Sequence, residues 1–323
     1  MPKFKENILL SQFSHYKIGG PARFFFEAKT EKDVRWAVRE ARARKLKVFV
    51  LAGGTNLLIG DEGFAGLVLH PAMGAVTAKG NTIRAGAGAS MADLLTRATA
   101  RSLSGLEWAG GLPGTVGGAV RGNAGCFGGE IKDSIASVRS LDVRTGTIIT
   151  RAGRACAFAY RDSIFKKKNG AEIILSVTLR LKKGNKKEIA RVIKERIAYR
   201  KSRHPLDYPN IGSIFKNVPL AVVHKKGSEK YKKALRESAL AFRGSQFSVK
   251  EDPFPVIFAA KLISETGLRG VSAGGAMISP KHTNFIVNVL AARSDEVKAL
   301  MVLAKAKVKG KFGIALEEEV QLL

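Results

Sequence analysis

Residues 110–129 read GGLPGTVGGAVRGNAGCFGG, and nine of these twenty positions are glycine. Glycine loses more backbone freedom on folding than any other residue, so a run this dense is kept for something that side chains would obstruct. A second loop of the same character, LAGGTNLLIGDEGFAG, occupies 51–66. Neither loop fits G-x-G-x-x-G between a strand and a helix, and neither contains G-x-x-x-x-G-K-[ST]. That argues against a Rossmann dinucleotide site and against a P-loop. Both loops still have what phosphate recognition needs. Bare backbone N–H groups can converge on an anion, and Thr55, Asn56, Thr115 and Asn123 add small donors. Taken singly, each loop reads equally well as a set of tight turns between strands. Two of them in one basic chain favour a large phosphorylated ligand.

Working outward, the 323 residues are enough for two or three domains, and 45% apolar residues support real cores. No stretch approaches the ~20 apolar residues of a membrane span. The opening MPKFKENILLSQ has neither an apolar core region nor a small-residue cleavage site, so no signal peptide is expected. Cys126 and Cys156 lack metal-type spacing and suggest a reducing compartment, so a cytoplasmic protein is expected. The 55 Lys and Arg against 27 Asp and Glu give a net charge of +28. Such a balance attracts polyanions, or it is a generally basic solvated surface, since the lysines are spread along the whole chain.

The pattern of elements is mixed α+β. Thr30 caps a helix with acidic residues in its first turn, and KVFVL at 47–51 reads as a buried strand. Strands are expected at 67–70 and 82–85, with a helix from Ser90 to about Ser102. A hairpin turning at Thr145-Gly146 and a long alternating strand at 173–181 follow. A basic helix spans 187–200, and a boundary falls near 201–209, where two prolines interrupt the pattern. Beyond it, 257–266 reads as a helix ending at Gly267, 284–290 as a strand, a last helix starts at Ser294 or Asp295, and 312–322 reads as a final strand.

The stretches GGTNLLIGDEGFAG, GLPGTVGGAVRGNAG, YRDSIFK, GSIFKN and the terminal LEEEV stand in the order and approximate spacing of the UDP-N-acetylenolpyruvoylglucosamine reductases. SHYKIGGPA at 14–22 and SPKHTNFIVN at 279–288 resemble that family's opening and late motifs. The resemblance covers nearly the whole chain and is to the compact, type II-like subtype. It implies an FAD-binding α+β fold of the vanillyl-alcohol-oxidase (PCMH) type with a separate C-terminal substrate-binding α+β domain. On that reading, 1–72 with 311–323 forms one flavin-binding subdomain, 73–200 a second, and 201–310 the substrate domain with a basic insertion at 218–256. The implied cofactors are FAD and NADPH. Gly53, Gly54, Thr55, Asn56 and Leu57 would surround the FAD diphosphate, and Pro113, Gly114, Thr115, Gly117 and Gly118 would lie against another part of the cofactor.

The implied reaction passes hydride from NADPH through FAD to an enol ether bearing a carboxylate, after which an acid protonates the neighbouring carbon. The hard species is the enolate-like intermediate, so the site must stabilise developing charge and supply one proton. By resemblance Arg161 faces the substrate carboxylate, Ser213 donates the proton, and Glu319 polarises the carboxylate or enol. Tyr160, Arg203 and Asn217 would touch substrate. From the residues alone, Arg161 also reads as a surface ion pair, Ser213 as a turn serine and Glu319 as an exposed strand end. Glu317-Glu318-Glu319 stands where the family usually has Glu-Pro-Glu, and Val320 after Glu319 sets the register.

The segment 218–256 holds eight basic and four acidic residues, and 231–242 reads as a short helix. It is either a flap beside the UDP site or an inert surface excursion. An oxidase on the same flavin fold, or a basic nucleic-acid-binding protein, are the other classes. Aromatic residues are only 7%, and no nucleic-acid module is visible, so neither nucleic acid nor membrane is expected as a partner. A monomer acting on a UDP-sugar with NADPH is expected.

Overall fold

The computed structural model describes residues 2–168, 170–222, 249–251 and 254–323. The chain divides into two compact units. The first comprises Met1–Phe13, Gly20–Gly54 and Glu62–Ser202, and the second Ser14–Gly19, Thr55–Asp61 and Arg203–Leu323.

Among the described residues the first unit holds two larger sheets, besides the short pairs Gly125–Cys126 with Gly129–Glu130 and Leu103–Ser104 with Lys182–Lys183. One has the strand order Lys5–Leu9, Pro21–Ala28, Phe64–Pro71, Val48–Val50, antiparallel at its first pair and parallel thereafter. The helix α1, Glu31–Ala43, connects two of its strands and buries Val34, Ala37, Val38 and Ala41. Its start is a capping box: the Thr30 hydroxyl accepts from the Asp33 N–H, and the Asp33 carboxylate accepts from the Thr30 N–H. The second sheet is antiparallel, ordered Ile148–Ala152, Ile135–Asp142, Glu172–Arg180, Thr82–Gly86, Val76–Lys79. Strand Glu172–Arg180 lies at its centre with residues 172–177 all buried. That burial brings in Glu172, which is held by Arg151, Lys168 (2.7 Å) and the Ser140 hydroxyl (2.8 Å). Helices α2 (Met91–Ala100), α3 (Val116–Gly122), α4 (Ile164–Lys167) and α5 (Lys186–Arg203) complete the unit, α5 running to its boundary.

The second unit is built from three separated segments. Its core gathers Tyr16 and Ile18 from the first, Leu58 from the second, and Ile211, Phe215, Ile263, Ile286, Val308 and Leu316 from the third. Two three-stranded sheets, a parallel pair joining Leu57–Leu58 to Gln321–Leu322, and helices α6 (Ala259–Ser264) and α7 (Ser294–Phe312) form it. Asp61 holds the start of α7, its carboxylate accepting from the Ser294 N–H (3.0 Å) and hydroxyl (2.9 Å).

Three expectations need correction. Ile257 is not helical: Pro255–Ile257 is a strand paired with Val218–Pro219 and Val249–Glu251, and α6 starts at Ala259. The β-branched Val256 and Ile257 are both buried there, a better use of them than a helix turn. The stretch 312–322 is not one strand. Phe312 ends α7, Gly313 closes it in the left-handed conformation (φ 71°), and only Gln321–Leu322 joins a ladder. The alternation was real, since Phe312, Ile314 and Leu316 are buried, but extended chain becomes a strand only where a partner edge meets it. Finally, 311–323 packs in the second unit, because Ile314, Leu316 and Val320 belong to that core. The helix read at 231–242 lies outside the described residues. The insertion's ends do not: Val218 pairs with Ile257 and Pro219 with Val256, so the excursion leaves and returns through one sheet.

Candidate active site

In the first unit the two glycine loops meet backbone to backbone. A Cβ on Gly53 would lie 2.9 Å from Gly114 Cα and 3.3 Å from Thr115 N. Gly54 (φ 61°) and Gly114 (φ 104°) both hold conformations that side chains disfavour. The two loops are packed here backbone against backbone, which only glycine at 53 allows. Gly117 and Gly118 contribute differently. Their N–H groups are bound to Ala87 O (2.9 Å) and the Thr115 hydroxyl (3.3 Å), and a Cβ on Gly117 would strike Ala87 at 2.9 Å. They supply close packing and a helix cap rather than donors. Pro113 is exposed beside them.

Asn123 is fully buried and ends α3 in the left-handed conformation. Its amide donates to Ala159 O (2.9 Å), so it is not the phosphate donor the composition of the loop suggested. It instead anchors the tight turn Ala159–Asp162, whose ends exchange two backbone hydrogen bonds of 3.0 and 3.1 Å. Tyr160 and Arg161 form the tip. Arg161 takes φ 55°, unusual for a residue with a side chain, and such strain persists only where the surroundings hold it. They do so here: Arg161 Nη2 donates to Gly125 O (2.8 Å), its guanidinium lies 5.0 Å from the Tyr160 ring centroid, and Lys166 Nζ donates to Arg161 O (2.9 Å). Arg121, two residues before Asn123 in the glycine stretch, has its main-chain carbonyl accepting from the Ser163 hydroxyl (2.7 Å). Desolvation pulls its pKa below the ordinary guanidinium value, and the nearby Asp162 opposes that shift.

In the second unit, Ser213 and Glu319 are carried on adjacent backbone. Glu319 N–H donates to Ile214 O (2.8 Å), Lys216 N–H donates to Glu317 O (2.9 Å), and Phe215 bridges to Glu318. Glu317 and Glu318 are engaged by Lys216 (3.3 Å) and Lys305 (3.1 Å). Asn56, read as a cofactor contact, donates to Glu319 O (3.2 Å), while its own carbonyl accepts from Gln321 N–H (3.1 Å). Leu57 is buried in the strand beside Gln321, and Thr55 is half-buried just before them. Asn217 accepts from Ala259 N–H (3.3 Å) at the start of α6. Arg203, the last residue of α5, is exposed.

Sequence reasoning missed the asparagines behind this arrangement. Asn284 clasps Phe215, and Asn288 binds Tyr16 O (3.0 Å) and the Ala292 N–H (2.8 Å). Tyr16 is fully buried, its hydroxyl donating to Ile286 O (2.8 Å), and burial pushes its pKa far up. The only sequence signal was the pair of quoted motifs that contain them.

Comparison with known proteins defines the class. Residues 22–151 match the family model of an FAD binding domain, and 204–323 match that of the UDP-N-acetylenolpyruvoylglucosamine reductase C-terminal domain. A flavin-dependent oxidoreductase is the class these two halves define. A UDP-N-acetylenolpyruvoylglucosamine reductase of Lachnoclostridium phytofermentans is 35% identical over 97% of this chain and 91% of its own length. One from Solibacter usitatus is 35% identical over 97% and 94%. The crystal structure of the Thermus caldophilus UDP-N-acetylenolpyruvylglucosamine reductase (MurB) superposes with a TM-score of 0.75 at 29% identity, covering 99% of this chain and 98% of that one. The chain belongs to the UDP-N-acetylenolpyruvoylglucosamine reductase family.

Proposed function

We propose that Arg161, Ser213 and Glu319 carry the chemistry of this family's reaction. The protein is an NADPH-dependent flavoenzyme that reduces the enolpyruvyl group of UDP-N-acetylglucosamine-enolpyruvate to UDP-N-acetylmuramate for peptidoglycan synthesis. When bound, FAD takes the reducing equivalents of NADPH and passes them to the enol ether. Gly53, Gly54, Gly114 and Thr115, whose backbones lie close together, would hold it through their peptide N–H groups.

The Arg161 fork binds the substrate carboxylate and stabilises the charge that builds on it as the double bond is reduced. Its hold on Gly125 O and on the Tyr160 ring fixes its direction. Ser213 gives its hydroxyl proton to the carbon alpha to the carboxylate. Serine is a weak acid in water, but the enolate it faces is a strong base, so the transfer runs downhill once the groups are aligned. Glu319 polarises the same carboxylate or enol. Tyr160, Arg203 and Asn217 contact the rest of the substrate. We also read the protein as a cytoplasmic monomer that binds neither nucleic acid nor membrane. Its two free cysteines and its NADPH chemistry support the compartment.

The observation that carries the assignment is the register at Ile214, which sets the backbone of the proton donor beside that of Glu319. The test is NADPH consumption by purified protein with and without the enolpyruvyl sugar nucleotide, together with the visible flavin spectrum. Turnover requiring both substrates is expected. A flavin-bearing protein that consumes oxygen and ignores the sugar nucleotide would overturn it in favour of an oxidase.

A further inference from the structure

Asn284 is an amide placed where the core calls for an apolar side chain. It is 2% exposed and lies in the motif SPKHTNFIVN. A buried amide is costly unless its polar atoms find partners. Here they find two atoms of one residue: Asn284 Nδ2 donates to Phe215 O (2.8 Å), and Phe215 N–H donates to Asn284 Oδ1 (3.0 Å). The Asn284 main-chain carbonyl adds a third bond, accepting from Ile214 N–H (2.8 Å). A side chain therefore plays the part that a neighbouring strand plays in a sheet.

The opposite edge of this segment belongs to the chain end. Ile214 O accepts from Glu319 N–H and Glu317 O accepts from Lys216 N–H. Ile214 is thus pinned through its N–H by Asn284 and through its C=O by Glu319. Ser213 directly precedes it. An apolar residue at 284 would fill the space but leave the buried N–H and C=O of Phe215 unpaired on that edge.

We infer that Asn284 is a positioning residue for the protonation step, clasping the backbone after Ser213 so that the proton donor keeps its register with Glu319. This rests on the assignment of Ser213 as donor. If Asn284 acts through Ser213, its loss costs little once the Ser213 hydroxyl is gone; a merely structural role would cost the same in both backgrounds.

The test is a double-mutant cycle read on separate half-reactions by stopped flow. In Asn284→Ala, flavin reduction by NADPH is expected to stay within about twofold of wild type. Flavin reoxidation by the enolpyruvyl sugar nucleotide is expected to slow about tenfold or more, because small misplacements of a reacting group are costly. In the Ser213→Ala background, the same substitution is expected to add less than about twofold, since the group being positioned is gone. A full further loss in the double variant would overturn the inference while leaving Ser213 as donor. If Ser213→Ala alone reoxidises at wild-type speed, the donor assignment fails and this inference with it. Should Asn284→Ala not retain FAD, Asn284→Asp keeps the Oδ1 acceptor and replaces it in the cycle. Independently of any variant, hydrogen exchange of the FAD-free wild-type protein should place the Ile214 and Phe215 amides in the slow class. Rapid exchange there would show that no clasp holds.

Discussion

The roles proposed for the candidate side chains can be separated by experiment. Ser213→Ala is expected to leave flavin reduction by NADPH intact and to abolish steady-state turnover, because only the later proton transfer is touched. Half-reaction kinetics check it, and reoxidation at wild-type speed would sink the assignment. Arg161→Lys should lower kcat/KM by about a hundredfold, since an ammonium cannot reproduce a bidentate fork on a carboxylate. His282 offers a different reading. Burial lowers its pKa to about 4 from 6.5, and its Nδ1 is buried with no hydrogen-bond partner among the described residues. Between those pH values the unfolded chain binds the proton and the folded chain does not. Stability is therefore full above about pH 6.5 and falls as the pH drops toward 4, by roughly 3 kcal/mol if the whole shift is realised. His282→Gln should flatten that part of a denaturation-midpoint profile. Arg161, Ser213 and Glu319 could be nominated from the sequence because they sit in short motifs with fixed neighbours. Asn284 was not singled out, although its motif SPKHTNFIVN was quoted, because nothing local shows that its amide bonds the distant Phe215 backbone.

Among the elements, the glycine loops explain themselves by contact rather than by flexibility. Gly53→Ala must push against the Cα of Gly114, and neither backbone can yield cheaply. The variant is expected to purify with clearly less flavin per protein, measured by the ratio of visible to ultraviolet absorbance. Gly122→Ala is the control: its Cβ would meet nothing within 4 Å among the described residues, and it should keep its flavin and gain up to about 1 kcal/mol of stability. Helix starts could be read in advance, because Thr30 and Ser90 each cap within their own few residues. The end of the chain could not. Local alternation at 312–322 records which side chains face the core, whereas strand formation there depends on Leu57–Leu58, far away in sequence. Asp61 was likewise invisible as a cap for α7, because capping from another segment has no local signature.

For the whole molecule, the +28 charge bears on encounter rather than on fold. NADPH and the sugar nucleotide are both polyanions, so kcat/KM for each should fall by about threefold to tenfold as ionic strength rises from low to high salt, with kcat little changed. A kcat/KM indifferent to salt would mean the excess charge does not steer substrates. The division of the chain carries a consequence for synthesis. A ribosome that has released residues 14–19 and 55–61 has delivered Tyr16, Ile18 and Leu58 long before the rest of their core emerges. Those apolar groups must wait, unsheltered, until residues beyond 203 arrive. For the same reason an excised fragment 203–323, although its residues 204–323 match the family's C-terminal domain model, would lack both the buried tyrosine and the strand that receives its last residues. Expressed alone it should aggregate, and adding the two short peptides in trans should rescue it in part.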